Sequence, residues 1–281
     1  MKGLLAFTLA ALVLLAAGCG GSGSSTSTPD VTVGQLLALP AQRAVQQAGQ
    51  KTQSEQSAKA SFKATFTGDQ LNGTMTGNGS FAKRKGHLIM DMGGLSGGTF
   101  GNGKAELIFD GLVYYMKLPP GAVPTLQGKQ WFKIDLGELG QQTGLNLEQL
   151  TQLNQSDPSQ ALDFLRGAAK DFQKVGTEEV RGTQTTHYKG NVDLTKVAAD
   201  APADVQGVYR RLLQQSSEKM VPMDVWVDGK GLVRRIRFTQ KLAGGAAMSM
   251  DEDLYDFGTT VDATPPPASQ VVDLTQLLGN G

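Results

Sequence analysis

Alternating apolar and polar positions recur along most of this chain and predict a protein built mainly of β-strands. The alternation is cleanest in Ala60–Gly68, where Phe62 and Phe66 share one face with Ala64 and the residues between them are mostly polar. The same period of two predicts further strands over Thr74–Lys83, His87–Met92, Lys104–Asp110, Leu112–Leu118, Lys129–Leu136, Phe172–Val180, Thr183–Val192, Met223–Val227, Val233–Leu242 and Ala246–Phe257.

Helical spacing of apolar residues marks the other elements. It predicts a helix over Ala41–Ser57, a short helix over Asn146–Leu153, a helix that begins at Asp157 and Pro158, and one over Ala203–Met220. Val271–Leu278 is predicted to be a short helix or an extended arm. Asp110-Gly111 is typical of the tight turn in a β-hairpin.

Short connections favour antiparallel neighbours, and a sheet that is apolar on one face must cover that face. We therefore predict an α+β fold in which helices pack across the concave face of a strongly curved antiparallel sheet, an open half-barrel. Gly73, Gly77, Gly79 and Gly86 fit bends or bulges that curve such a sheet. An α+β sandwich with a solid core is the alternative. Gly93–Gly103 is predicted to be a mobile loop at the mouth.

The start of the chain has the features of an export signal. Lys2 precedes the apolar stretch Leu4–Ala17, whose roughly 14 residues suit a signal peptide and fall short of a membrane span. Leu15–Cys19 then matches the bacterial lipobox, with small residues before the cysteine. This predicts a lipoprotein signal peptide over residues 1–18 and acylation of Cys19. A cleaved secretion signal and an uncleaved anchor helix are the alternatives.

Residues 19–30 are predicted to be a flexible Gly/Ser/Thr tether, since this composition buries too little apolar surface to become ordered. Residues 31–281 are predicted to form a single domain. Cys19 is the only cysteine, so no internal disulfide can form, and acylation gives that thiol a role. The 26 basic and 26 acidic side chains balance, which offers no charge-based reason to expect nucleic acid as a partner.

Catalytic motifs are weak. His87 and His187 lie on predicted strands without an obvious partner, and no Gly-x-Ser-x-Gly or metal-ligand spacing is present. Gly98–Lys104 has the spacing of a phosphate-binding loop, but Ala105 and a predicted strand follow it, where the motif requires a hydroxyl and a helix. Asp251–Asp253 is interpreted as a solvated acidic run at a strand edge, with cation binding as the alternative. We predict no enzymatic activity and no cofactor.

Three segments carry a resemblance to a known family, together with the lipobox and the tether. They are Val221–Arg235, Tyr255–Gly258 and Val271–Leu274, and they resemble the LppX/LprAFG group of actinobacterial lipoproteins, which is similar to the LolA/LolB carriers. The resemblance implies a half-barrel whose apolar cavity carries a lipid, a glycolipid or an acylated molecule. Gly93–Gly103 departs from the pattern of the group.

Methionine is flexible and polarisable, so it suits a surface that accepts ligands of variable shape, although it also fills gaps in ordinary cores. With the resemblance, the pattern predicts a ligand-binding cavity lined by Phe62, Phe66, Met75, Leu88, Met90, Met92, Met116, Met223, Met248 and Met250.

Two functions follow as hypotheses. The first is a lipid carrier held at the extracytoplasmic face of the cell membrane by its lipid anchor, with a membrane transporter as a further partner. The second is a cell-envelope scaffold that binds a protein or a cell-wall partner through its surface. The basic turn Lys83–Lys85 is interpreted as solvated, with contact to headgroup phosphates as the alternative.

Overall fold

The structure is a computed structural model that describes residues 39–69, 71–82, 84–96, 103–119, 128–143, 169–200, 206, 210, 213–214 and 216–275. The predicted signal peptide, Cys19, the tether and the helices expected at Asn146–Leu153 and from Asp157 lie outside these residues. Among the described residues, no helix combines the length and apolar character needed to cross a membrane.

Strands make up most of the described chain. They run over Ser57–Thr67 (β1), Asn72–Ala82 (β2), Lys85–Ser96 (β3), Lys104–Asp110 (β4), Val113–Lys117 (β5), Trp131–Asp135 (β6), Ala169–Val180 (β7), Thr183–Asp193 (β8), Met220–Asp228 (β9), Val233–Lys241 (β10), Ala247–Tyr255 (β11) and Val271–Asp273 (β12). The helices are Ala41–Ser54 (α1), Leu136–Thr143 (α2) and Leu194–Asp200 (α3), and single 3₁₀ turns lie at Ala243–Gly245 and Ala268–Gln270.

The described strands form one sheet in the order β12-β6-β5-β4-β3-β2-β1-β11-β10-β9-β8-β7. Each neighbouring pair is antiparallel except β12 and β6, which are parallel. The sheet ends at β12 and at β7, so it is open among the described residues. The predicted open antiparallel sheet with few helices is confirmed.

Helix α1 packs on the β7–β10 half of the sheet. Ala44, Val45 and Ala48 are buried there against Tyr188 and Val225. Thr52 ties the end of the helix to β10, since its Oγ1 donates to the carbonyl of Ala48 at 2.7 Å and accepts the Val233 N–H at 2.8 Å. The spacing of these small and apolar residues is the period that predicted the helix.

Strand register divides the sheet into an apolar face and a polar face. Directly paired residues share a face, and Phe62 of β1 is paired with Gly77 of β2 and with Glu252 of β11. The face that carries Phe62 is buried in two hydrophobic clusters, and we call it the apolar face. The intervening positions, among them Lys63 and Asp251, form the polar face.

Glycines on the apolar face lie under aromatic rings. A Cβ at Gly77 would overlap the ring of Phe62, and one at Gly86 would overlap Phe109 across the neighbouring strand pairs. Gly190 on β8 lies under Phe172 in the same way. Two of the four glycines predicted to bend the sheet, Gly77 and Gly86, therefore make room for aromatic rings that lie on it. A register shift next to Gly73, between Thr74 and Thr76, supplies an irregularity of the expected kind.

The prediction of a loop over Gly93–Gly103 is wrong at its start. Strand β3 continues to Ser96, and Gly94 and Leu95 pair with Thr74 and Gly73 of β2. A Cβ at Gly94 would overlap the Thr74 carbonyl, so glycine here permits close backbone approach. Residues 97–102 lie outside the described residues.

Two helices were missed because their caps were not recognised. Asp135 Oδ1 accepts the N–H groups of Gly137 and Glu138 at 3.0 and 3.1 Å, which starts α2 at Leu136, the last residue of the predicted strand. Asp193 Oδ1 accepts the Thr195 N–H at 3.0 Å at the start of α3.

The end of one predicted helix differs from the structure, and the C-terminal arm takes the extended one of its two predicted conformations over Val271–Asp273. The helix predicted over Ala203–Met220 is wrong at its end, since Ser216 forms a bridge with Leu242 and Met220 begins β9. The C-terminal arm is extended, and β12 pairs in parallel with β6. In both places, pairing with a strand distant in sequence decides the local conformation.

Candidate functional site

The ten residues predicted to line a cavity all lie on the apolar face. The register shows this directly, because Ala64 pairs with both Met75 and Met250, and Phe66 pairs with Met248. Six of the ten are buried: Phe62, Leu88, Met90, Met92, Met248 and Met250. Phe66, Met75, Met116 and Met223 are partly buried and pack at the edges of the clusters. Whether they contact a ligand stays a prediction.

The apolar face contains two clusters with different coverage. The helix-side cluster joins α1 to Phe172, Tyr188, Val225, Val227 and Val233. The central cluster is formed by β1–β5 and β11. Eight of the ten predicted residues belong to it or pack against it. Met248 is the ninth, since it pairs with Phe66 at the edge of this cluster. Met223 lies at the helix-side cluster, across from Phe238 of the central one.

Glu252 brings a carboxyl group to the middle of the apolar face, and the sequence analysis placed this residue wrongly. Glu252 was grouped with Asp251 and Asp253 as a solvated run at a strand edge, whereas β11 is an interior strand between β1 and β10. Alternation turns Glu252 to the apolar face, between Phe62 and Ile236. Burial raises the pKa of Glu252 to about 7, and the neighbouring negative charge of Asp253 adds to the shift.

Glu252 has no hydrogen-bond or ion-pair partner among the residues that the structure describes. The Glu252 side chain is half-buried. On α1, which packs on the β7–β10 half of the same face, Gln46 Nε2 and Gln47 Oε1 are buried without a hydrogen bond. Gln46 is 8% exposed. Buried polar atoms are normally paired, so unsatisfied groups on an apolar face are candidates for contact with a ligand. The sequence contains a signal for this position, because every second residue of a strand shares a face and Glu252 follows Met248 and Met250 at that spacing.

The polar face carries a cavity of about 460 Å³, which Phe62 borders but the other nine predicted lining residues do not. Its side chains include Ser61, Lys63, Thr76, Asn78, Lys104 and Asp251. Lys63 and Lys104 form no ion pair within the described part of the chain. This cavity suits a lipid less well than the apolar face does, because nine of its twelve lining residues are polar or charged.

Paired charges follow β10 and β11 across the polar face. Arg235 Nε lies 2.5 Å from Asp253 Oδ1, and Arg237 Nη2 lies 2.6 Å from Asp251 Oδ2. The hydrogen bond to Asp253 raises the pKa of Arg235. The two aspartates beside Glu252 are therefore held by arginines, which corrects the interpretation of the whole run as solvated.

His187 has partners that the sequence did not reveal. Its Nδ1 lies 2.9 Å from Glu178 Oε1 and its Nε2 lies 2.7 Å from Asp224 Oδ1. The ring stacks on Trp226 with 4.2 Å between centroids. The Trp226 indole N–H donates to Glu178 at 3.0 Å, and this bond leads the causes that lower the pKa of Glu178. These groups are mutually satisfied, which is typical of a structural network.

His87 is also paired, with 2.7 Å between its Nε2 and Glu106 Oε1. Both histidines thus have partners that were not obvious in the sequence, and neither is arranged as a catalytic group. The described residues contain no group of three or more His, Cys, Asp or Glu side chains arranged to hold a metal ion. Lys104 begins β4, as predicted when the phosphate-loop interpretation was rejected.

The chain has relatives in Streptomyces. It is 30% identical over 202 residues to a 31.2 kDa protein encoded between rplA and rplJ in Streptomyces griseus, covering 66% of this chain and 64% of that protein. It is 27% identical over 171 residues to a candidate lipoprotein of Streptomyces coelicolor, covering 59% of this chain and 50% of the relative. The chain thus spans from half to just under two thirds of these relatives' lengths. No family model matches it.

Solved structures with similar folds include LppX of Mycobacterium tuberculosis, with a TM-score of 0.46, 15% identity and coverage of 79% of this chain and 97% of LppX. LprF of Mycobacterium bovis follows with a TM-score of 0.42, 13% identity and coverage of 81% and 97%. The names LppX and LprF are those of the LppX/LprAFG group that this sequence resembles.

Proposed function

We propose that this chain is a membrane-anchored, extracytoplasmic lipoprotein that binds a lipid, a glycolipid or another acylated molecule on the apolar face of its open sheet and carries it. The observation that supports this most is the position of the methionine and phenylalanine residues. All ten predicted lining residues lie on one face, and four of them are only partly buried. An acyl chain laid against them would gain about 0.8 kcal/mol for each buried CH₂ group.

The lipobox and the tether support the proposed anchoring to the membrane. Acylation of Cys19 would hold the domain at the outer face of the cell membrane, and residues 20–30 would let it reach the bilayer and a partner such as a membrane transporter. The name of the Streptomyces coelicolor relative is consistent with such an anchor.

Native mass spectrometry tests the binding directly. The chain carrying Cys19→Ser, secreted behind a cleavable signal and purified without detergent, has no anchor lipid of its own. We expect a stoichiometric lipid adduct that is removed and identified by organic extraction. An apo mass, together with no uptake of a fluorescent fatty-acyl probe, would contradict the proposal.

Substitutions on adjacent residues of β2 locate the site. Met75 lies on the apolar face and Thr76 on the polar face. We expect Met75→Trp to fill space on the apolar face and to weaken uptake of the fatty-acyl probe by roughly tenfold, about 1.4 kcal/mol. Thr76→Trp is the matched control and should leave uptake unchanged. Equal effects of the two substitutions would place the ligand elsewhere.

A second candidate function is surface binding in the cell envelope, and the polar-face cavity favours it. Lys63 and Lys104 line this cavity without ion-pair partners in the described part of the chain, beside Asp91, Asp251 and Asp253, so a cell-wall polymer that carries both hydroxyl groups and charges fits it better than an acyl chain does. Cosedimentation with purified cell walls tests this candidate. Loss of cosedimentation in the variant with both Lys63→Gln and Lys104→Gln, with lipid uptake intact, would support it. Absence of cosedimentation in the wild type would exclude it.

A further inference from the structure

Glu252 places a carboxyl group among the aliphatic and aromatic side chains of the apolar face. Its register partners are Phe62 on β1 and Ile236 on β10. Met250 and Leu254, the next residues of β11 on the same face, are 5% and 7% exposed. A carboxyl group in such surroundings is costly unless something hydrogen-bonds to it.

The basic residues near Glu252 are directed elsewhere. Lys59 and Lys63 of β1 alternate onto the polar face, as do Arg235 and Arg237 of β10 with their aspartate partners. Arg234 is held by Asp228, with 2.7 Å between Nη2 and Oδ2. On α1, Arg43 and Lys51 are exposed. The charge that acts on Glu252 is that of Asp253, which is negative.

We propose that Glu252 is a specificity residue of the apolar face and accepts a hydrogen bond from an uncharged hydroxyl group of an acyl lipid, such as an acylglycerol. This inference rests on the proposed lipid-binding function. A carboxyl group without a nearby cation satisfies a hydroxyl donor and repels an anionic headgroup.

Two ligands with the same acyl chain separate the headgroup from the chain. Binding of 1-palmitoylglycerol and of palmitate is measured at pH 8 by displacement of a fluorescent fatty-acyl probe from the Cys19→Ser chain. We expect at least tenfold tighter binding of 1-palmitoylglycerol. Glu252→Leu should weaken it by about tenfold, the effect of one hydrogen bond to a charged group, and should strengthen palmitate binding.

Two further variants test the role of charge. Glu252→Gln keeps a hydrogen-bonding oxygen, so we expect 1-palmitoylglycerol binding within about threefold of the wild type and stronger palmitate binding. Asp251→Asn removes a negative charge from the adjacent polar-face position, and it should leave both affinities unchanged. Equal responses to Asp251→Asn and Glu252→Leu would overturn the proposal.

The remaining outcomes distinguish the two proposals. If the wild-type chain binds neither ligand nor the probe, the lipid-binding function fails and Glu252 has no ligand to select. If the wild type binds both ligands and Glu252→Leu changes neither affinity, lipid binding stands and the role of Glu252 is overturned. Circular dichroism of each variant establishes that it is folded.

Discussion

Three consecutive acidic residues on β11 have different environments because a strand turns successive side chains to opposite faces. Asp251 and Asp253 are each held by an arginine on the polar face. Glu252 lies between Phe62 and Ile236 on the apolar face, and burial raises its pKa to about 7. Its ionised form is therefore less stable in the folded chain than in the unfolded chain.

Glu252→Gln should change how stability depends on pH. Since the folded pKa lies above the ordinary value of 4.5, the wild type loses stability as pH rises from about 4.5 to 7 and carries the full penalty above 7, up to about 3 kcal/mol. We expect the variant to match the wild type near pH 4.5 and to be more stable at pH 8. Urea denaturation at both pH values measures the difference, and a constant offset would contradict the prediction.

Asp228 is the residue that organises the turn between β9 and β10. It is 3% exposed, and its Oδ1 accepts the N–H groups of Lys230 and Leu232 at 2.8 and 2.9 Å. Its Oδ2 accepts a hydrogen bond from Arg234 Nε at 2.7 Å. The sequence Asp-Gly-Lys-Gly is typical of a turn, but it does not indicate that the first carboxylate is buried.

Asp228→Ala should cost about 3 kcal/mol or more, because it leaves Arg234 and a buried N–H without their acceptor. Asp110→Ala is a suitable control, since Asp110 also precedes a glycine turn between strands and is exposed. We expect the control to stay within about 0.5 kcal/mol of the wild type. Urea denaturation of the two variants measures their free energies of unfolding. Similar decreases in the two variants would show that the hydrogen bonds of Asp228 contribute little to stability.

At the scale of elements, the sheet combines glycine and aromatic residues across neighbouring strands. Phe62, Phe109 and Phe172 lie over Gly77, Gly86 and Gly190 on the apolar face. The rings shield backbone that glycine leaves uncovered, and the glycines let the rings lie flat. The pairing explains why glycine, usually unfavourable in strands, is frequent in the strands of this chain.

Gly77→Ala should destabilise the protein by roughly 1–3 kcal/mol, because the new methyl group overlaps the buried ring of Phe62. Gly176→Ala on β7 provides the comparison, since a Cβ there meets nothing within 4 Å. The comparison variant should be neutral or slightly stabilised. Thermal denaturation of both variants measures this, and equal melting temperatures would show that the ring moves aside at little cost.

Alternation and turn signals were sufficient to predict the first eleven strands, since each signal is local. Helices α2 and α3 were missed although Asp135 and Asp193 are recognisable caps. The extension of β3 to Ser96 was harder to predict from the sequence, because its glycines take the strand conformation through pairing with β2. The partners of His187 come from β7 and β9, and no local pattern relates them.

At the scale of the whole molecule, the proposal needs an open sheet held close to a membrane. β12 pairs in parallel with β6 and forms one edge of the sheet. Thr275 after it is fully buried, and its Oγ1 accepts the Asp135 N–H at 2.8 Å. The other end of the chain is proposed to carry the anchor.

Cys19→Ser should abolish lipid attachment, because serine lacks the thiol that is acylated. We expect labelled palmitate to be incorporated into the wild-type chain in a bacterial host and to be absent from the variant. Retention of label in the variant would place the modification elsewhere, and absence of label from the wild type would favour one of the other two interpretations of the signal segment.

The sequence by itself determined the antiparallel strand pattern, the helix α1 and the face on which the methionine and phenylalanine side chains lie, because these depend on local periodicity. The tertiary structure decided which strands are neighbours, and with them the environment of each polar group. The pairing of β11 with β1 and β10 placed Glu252 among apolar side chains, and it placed Asp251 and Asp253 beside arginines. Such contacts join residues far apart in the chain, and no period along the sequence encodes them.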